Sequence, residues 1–181
     1  MRFSETNIED CFVIAPELIE DHRGGFFRSF CKEEFKERIG EIEFTQINHS
    51  INHRKGTFRG LHYQQPPYGE GKLIKCVKGR VLDFFLDIRK DSTTFLQYEK
   101  IVLSAGNKTM IYICKGIAHG FLTLENNTEL IYHHTESYHS EADRGIKYND
   151  PKVAIELPFE IKVISEKDQN YPLLNTAFKG I

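Results

Sequence analysis

Lys72-Leu73-Ile74-Lys75-Cys76-Val77-Lys78-Gly79-Arg80-Val81-Leu82-Asp83-Phe84-Phe85-Leu86-Asp87-Ile88 is the stretch whose reading decides the fold class. It holds two runs, 72–77 and 80–88, rich in β-branched, aromatic and aliphatic residues and of ordinary strand length. Lys78-Gly79 between them reads as a hairpin turn. The same rhythm spreads outward. Upstream, 11–15 is an apolar run stopped by Pro16, and 26–30 follows the turn cluster Asp21-His22-Arg23-Gly24-Gly25. Residues 42–50 alternate with a period of two, which sets Gln46 and Asn48 on one face. Downstream, 98–103 and 109–114 flank Ala105-Gly106-Asn107, and 119–124 and 128–138 form a further pair around Glu125-Asn126-Asn127. The tail 153–164 supplies one or two more strands, and Ser165-Glu166-Lys167-Asp168 a loop or short helical turn. One helical stretch stands out at 32–39, where Phe35 and Ile39 lie four apart and Gly40 ends the run. Many short strands between Gly, Asn and Pro turns predict an all-β sandwich or barrel able to hold a small-molecule cavity.

Bulk composition narrows the function. The chain of 181 residues suits a single domain spanning 1–181. A net charge of −2 and a pI near 6.4 call for neither a nucleic acid nor a membrane partner. Cys11, Cys31, Cys76 and Cys114 contain no Cys-x-x-Cys pair and read as free thiols of a cytoplasmic protein. No secretory signal is visible, and no run approaches the roughly 20 apolar residues that cross a bilayer. There is no Gly-x-Gly-x-x-Gly, and Gly71-Lys72 is followed by Leu73, so neither a dinucleotide fingerprint nor a P-loop is present.

The chemistry gathers around Arg59-Gly60-Leu61-His62-Tyr63-Gln64. Histidine exchanges a proton near neutral pH, and an arginine nearby can fork a phosphate. Eight histidines invite a metal reading, but His62 is followed by Tyr63-Gln64 rather than a second ligand, and His133 and His134 point to opposite faces of a strand. No metal is expected. Acid–base chemistry fits better. Removing a proton beside a ketone needs a base, a cation at the carbonyl oxygen and an acid to return the proton. His62, Lys72 and Tyr132 are candidates for these roles, with Asp168 as the carboxylate that orients His62. Arg23, Arg59 and Lys167 are candidate holders of a diphosphate.

These residues resemble the dTDP-4-dehydrorhamnose 3,5-epimerase family over nearly the whole chain. The marks are Asp21-His22-Arg23-Gly24, Gln46-Ile47-Asn48-His49-Ser50, Arg59 to Gln64, Gly71-Lys72-Leu73, Asp87-Ile88-Arg89-Lys90-Asp91-Ser92, Gly116-Ile117-Ala118-His119-Gly120-Phe121, Arg144-Gly145-Ile146, Asn149-Asp150-Pro151 and Ser165 to Asp168, in this order. The resemblance implies a cupin-type jelly roll, a double-stranded β-helix barrel with a few short helices. It implies a cofactor-free enzyme that inverts C3 and C5, or C3 only, of a nucleotide-linked 4-keto-6-deoxyhexose, most directly a dTDP sugar. It makes His62 the base, Tyr132 the acid, Asp168 the partner of His62, and Lys72 the residue that steadies the enolate beside His119. It assigns Arg23 and Arg59 to the diphosphate, Gln46 and Asn48 to substrate contacts, and Tyr138 to the nucleotide base. Phe26, Arg28, Asp143 and Lys167 fall among its substrate-contact positions. It also implies a homodimer in which an N-terminal strand and part of the site cross to the partner.

The chain departs from that pattern at four places. Arg28 and Asp143 stand where Glu is usual, Tyr148 where Trp precedes Asn-Asp-Pro, and Glu156-Leu157-Pro158 where Asp-Trp-Pro is usual. Two other activities use the same residues: a 3,4-ketoisomerase, which relocates the ketone, and a non-catalytic sugar-nucleotide binding module, which takes up no deuterium.

Overall fold

The computed structural model describes residues 1–181 and contains thirteen strands and two short helices. The strands are β1 (Arg2–Glu5), β2 (Phe12–Ala15), β3 (Ile19–Asp21), β4 (Gly24–Phe26), β5 (Gln46–Asn52), β6 (Phe58–Gln64), β7 (Lys72–Lys78), β8 (Arg80–Asp87), β9 (Tyr98–Ser104), β10 (Met110–Ile113), β11 (Ile117–Thr123), β12 (Thr128–His134) and β13 (Asp143–Gly145). The helices are α1 (Lys32–Arg38) and α2 (Glu166–Gln169). One antiparallel sheet runs β1-β2-β10-β7-β12-β5, a second runs β13-β6-β11-β8-β9, and β3-β4 stand apart as a hairpin. The two larger sheets make the all-β architecture that the strand-rich sequence predicts and the jelly roll that the resemblance implies.

Pairing is where the structure corrects the sequence reading. Residues 72–88 are not a hairpin: β7 pairs with β10 and β12, whereas β8 pairs with β11 and β9. Gly79 is a corner between the sheets, at φ +72° and with the Thr128 backbone 3.0 Å from where a Cβ would sit. Crossing the corner lets both strands lie centrally, with a neighbour on each side. That suits runs as apolar as Leu73-Ile74 and Phe84-Phe85, all at most 1% exposed. The pairs expected around Ala105-Gly106-Asn107 and Glu125-Asn126-Asn127 also split, β9 and β11 joining one sheet and β10 and β12 the other.

Two strand expectations fail for lack of a partner. The chain leaves the β3-β4 hairpin at Phe26, and Phe30 packs instead on Phe35 and Phe44 at centroid distances of 4.8 and 5.0 Å. The tail 153–164 makes a single bridge, Thr57 to Val163. Its apolar residues spread over the outer face of the five-stranded sheet, covering Phe58, Phe84, Leu86 and Ile88. On the far side, α1 lays Phe35 against Ile14, Leu73, Met110 and Tyr112. Between the sheets lies a third cluster that includes Ile74, Val81, Phe85, Ile111 and Phe121, with Tyr132 at its margin.

Candidate active site

The space between the sheets opens, beyond Phe121 and Tyr132, into a cavity of about 280 Å³. Its wall is polar: Asn48, His49 and Ser50 from β5, Arg59 and His62 from β6, Lys72 from β7, His119 from β11, and Tyr132 and His134 from β12. A regular strand would send Arg59 and His62, three apart, to opposite faces. The β6–β11 register shifts between the His62↔His119 and Arg59↔Phe121 pairs, and this irregularity turns both side chains into the cavity. Gly60 sits at the shift with φ +119°, and a Cβ there would lie 2.6 Å from the Gly120 Cα. Only glycine lets β6 and β11 approach so closely.

His62 Nε2 meets Asp168 Oδ1 at 2.8 Å. The other oxygen of Asp168 accepts the Gly60 N–H at 3.0 Å, and the Ser165 hydroxyl caps α2 by accepting the Asp168 N–H at 3.1 Å. Burial pushes the Asp168 carboxyl up, but the hydrogen bond from His62 and the donors behind it outweigh burial and hold it below the usual range. An ionised Asp168 accepts only, so Nε2 carries its proton and Nδ1 is the free ring nitrogen.

His119 Nε2 bonds Asp83 Oδ2 at 2.8 Å. Asp83 is wholly buried, its Oδ1 has no partner, and burial raises its carboxyl above the usual value. Tyr132 sets its ring edge-on to His119, with centroids 5.9 Å apart. Burial and then the nearby Asp83 charge push the Tyr132 phenol well up, so it stays protonated at neutral pH. Lys72 Nζ lies 3.0 Å from Glu70 Oε1, and Arg59 Nε donates to Asn52 Oδ1 at 2.8 Å.

The structure thus brings together His62, Asp168, Lys72, Tyr132, His119, Arg59 and Asn48. Gln46 lies one step out, donating to Asn48 Oδ1 at 3.1 Å. Tyr138, Asp143 and Lys167 form an adjoining group: the Tyr138 hydroxyl donates to Asp143 at 2.9 Å, and Lys167 forms a salt bridge to the same carboxylate. Arg23, Phe26 and Arg28 do not reach this cavity within the chain. Arg23 pairs with Asp21 at 2.5 Å, Phe26 is 72% exposed, and Arg28 pairs with Glu34 at 2.8 Å. Sequence reasoning missed His134, Glu70, Asp83, Ser50 and Phe121. His134 was within reach, because it lies two residues from Tyr132 on one strand face. Glu70 sits in a loop and carries no periodic signal.

A family model described as dTDP-4-dehydrorhamnose 3,5-epimerase matches residues 5–176. The dTDP-4-dehydrorhamnose 3,5-epimerase of Shigella flexneri is 42% identical over 171 residues, 94% of each chain. Two solved structures are similar at 38% identity. A Bacillus anthracis dTDP-4-dehydrorhamnose 3,5-epimerase with TDP and PPi bound has a TM-score of 0.93 over 96% of this chain and 99% of that one. A Legionella pneumophila dTDP-6-deoxy-D-glucose-3,5-epimerase in complex with dTDP-4-keto-L-rhamnose has a TM-score of 0.91 over 97% and 94%. By its sequence and its fold, the chain belongs to the dTDP-4-dehydrorhamnose 3,5-epimerase family.

Proposed function

We propose that the cavity inverts C3 and C5 of a nucleotide-linked 4-keto-6-deoxyhexose, a dTDP sugar by preference, and that His62, Lys72 and Tyr132 carry the chemistry. The observation behind this reading is the opposition of His62 and Tyr132. The first is on β6 of one sheet, the second on β12 of the other, and both line one cavity with Lys72. His62 Nδ1 takes the proton from the carbon beside the ketone, and the C–H electron pair moves onto O4 as an enolate. Lys72 faces that oxygen with a charge that water cannot screen, which is where preorganised electrostatics is most effective. Tyr132 returns a proton from the opposite face, so the centre inverts. Arg59 holds the diphosphate, and the Tyr138–Asp143–Lys167 group lies toward the nucleotide. Incubation with dTDP-4-keto-6-deoxyglucose in deuterated water is expected to place deuterium at C3 and C5 while the ketone stays at C4. Exchange at C3 alone would reduce the reading to a single inversion. A ketone moved to C3, or no exchange with any nucleotide-linked 4-keto sugar, would overturn it.

The same reading takes the chain as a homodimer of one-domain subunits in a cytoplasmic pathway. Arg23 and Phe26 then complete the partner's cavity, and Arg28 sits at the foot of the same hairpin. This is supported by the β3-β4 hairpin, which stands apart from both sheets and exposes Ile19 and Phe26 at 68% and 72%. Mixing Arg23→Ala with His62→Ala chains is expected to restore about a quarter of wild-type activity through heterodimers with one intact site. No recovery on mixing would place Arg23 outside the partner's site.

A further inference from the structure

We propose that Glu70 and His134 are positioning residues that fix which end of the Gln46 and Asn48 amides meets the substrate. The inference rests on reading the cavity as the sugar site. A chain of contacts runs along the six-stranded sheet. The Tyr138 backbone N–H donates to Gln46 Oε1 at 3.0 Å, and Gln46 Nε2 donates to Asn48 Oδ1 at 3.1 Å. Asn48 Nδ2 lies 3.3 Å from His134 Nε2, and His134 Nδ1 lies 2.7 Å from Glu70 Oε2. The other Glu70 oxygen holds Lys72 at 3.0 Å.

The direction of this chain is forced from both ends. A backbone N–H can only donate, so Gln46 must turn its oxygen to Tyr138 and its NH₂ to Asn48. Asn48 must then turn its own NH₂ to His134, which requires a bare Nε2. From the far end, burial raises the Glu70 carboxyl, but the His134 hydrogen bond and the Lys72 charge outweigh burial and hold it at about 2. An ionised carboxylate only accepts, so His134 must present Nδ1–H. Both arguments give the same neutral tautomer. His134 is 8% exposed, Lys72 is 5% exposed and the Glu70 side chain 10%, so little water competes. Without the histidine, the amides are ordered from the Tyr138 end alone, and Asn48 Nδ2 loses the acceptor that holds it. With it, each amide keeps one defined donor and one defined acceptor for sugar hydroxyls, while Glu70 holds His134 through one oxygen and Lys72 through the other.

The test is the ring nitrogen of His134 in ¹⁵N-labelled wild-type protein at neutral pH. The expected spectrum has Nδ1 protonated and Nε2 bare, the reverse of the form neutral histidine favours in water. His134→Phe keeps the shape of the ring and removes both nitrogens. It is expected to raise KM about tenfold, the equivalent of about 1.4 kcal/mol, with kcat within about threefold. A protonated Nε2 in the wild type overturns the proposal, and so does a His134→Phe enzyme with unchanged KM or with its loss confined to kcat. If that variant does not fold, the wild-type tautomer still decides. If the protein turns over no keto sugar, the epimerase reading fails while the tautomer still reports on the chain of contacts.

Discussion

His62→Ala is expected to abolish solvent exchange at both C3 and C5, a loss on the order of 10³–10⁴ in rate. The proposed mechanism uses one base for both carbons, a histidine whose far nitrogen is fixed by the buried Asp168 carboxylate, which also accepts the Gly60 N–H. Asp168 is 3% exposed and stays ionised against its burial, so it aligns the ring before any substrate arrives. His119, the other histidine on the five-stranded sheet facing the cavity, is held by a similar Nε2 contact to Asp83 and packs edge-on against Tyr132, the proposed acid. Exchange is followed by NMR of the recovered sugar, with binding of dTDP by the variant as the control for an intact cavity. Loss at C5 with exchange kept at C3 would require a second base and would sink the one-base mechanism.

Tyr132→Phe is expected to separate the two halves of the reaction. Exchange should stay within about tenfold of wild type, while net inversion falls by about 10²–10³. Phenylalanine preserves the edge-on packing with His119 and the contact with Phe121, whose centroid lies 6.4 Å away. What it removes is the hydroxyl, which burial keeps protonated and therefore able to donate. His62 still removes protons and returns them to the face they came from, so label enters without inversion. Equal losses in exchange and inversion would mean that Tyr132 shapes the cavity rather than supplying the second proton.

Much of the architecture was legible. Strand-rich character and the short α1 follow from local composition, since β-branched runs and the Phe35–Ile39 spacing act over a few residues, whereas 165–168 read equally as a loop or a short helical turn. The pairing was not legible. Lys78-Gly79 looks like a hairpin turn because a tight reversal and a corner between sheets ask the same thing of the backbone, a glycine at positive φ. Which of the two forms depends on strands far away. The site divides in the same way. His62, Lys72, Tyr132 and Asp168 were identified by residue type and resemblance, and the structure adds how they converge. The register shift beside Gly60 that aims Arg59 and His62 into one cavity has no periodic signature. Glu70 sits in a loop, and its contact with His134 spans 64 positions. Arg23, Phe26 and Arg28 show the opposite limit, because their expected place depends on a second copy of the chain.

The corners carry a consequence for how the chain reaches this fold. From β5 to β13 each strand leaves for the opposite sheet, except β8 and β9. Zipping neighbours together can therefore build little beyond β1-β2, β3-β4 and β8-β9. The six-stranded sheet closes only when β12 finds β5, with Thr128 opposite Asn52 across 76 positions. Closing so long a loop costs chain entropy before the contacts it brings can compensate. Such a topology has a high contact order and folds in milliseconds to seconds rather than microseconds, a time during which the unpaired edge of β7 and the apolar β8 are open to other chains.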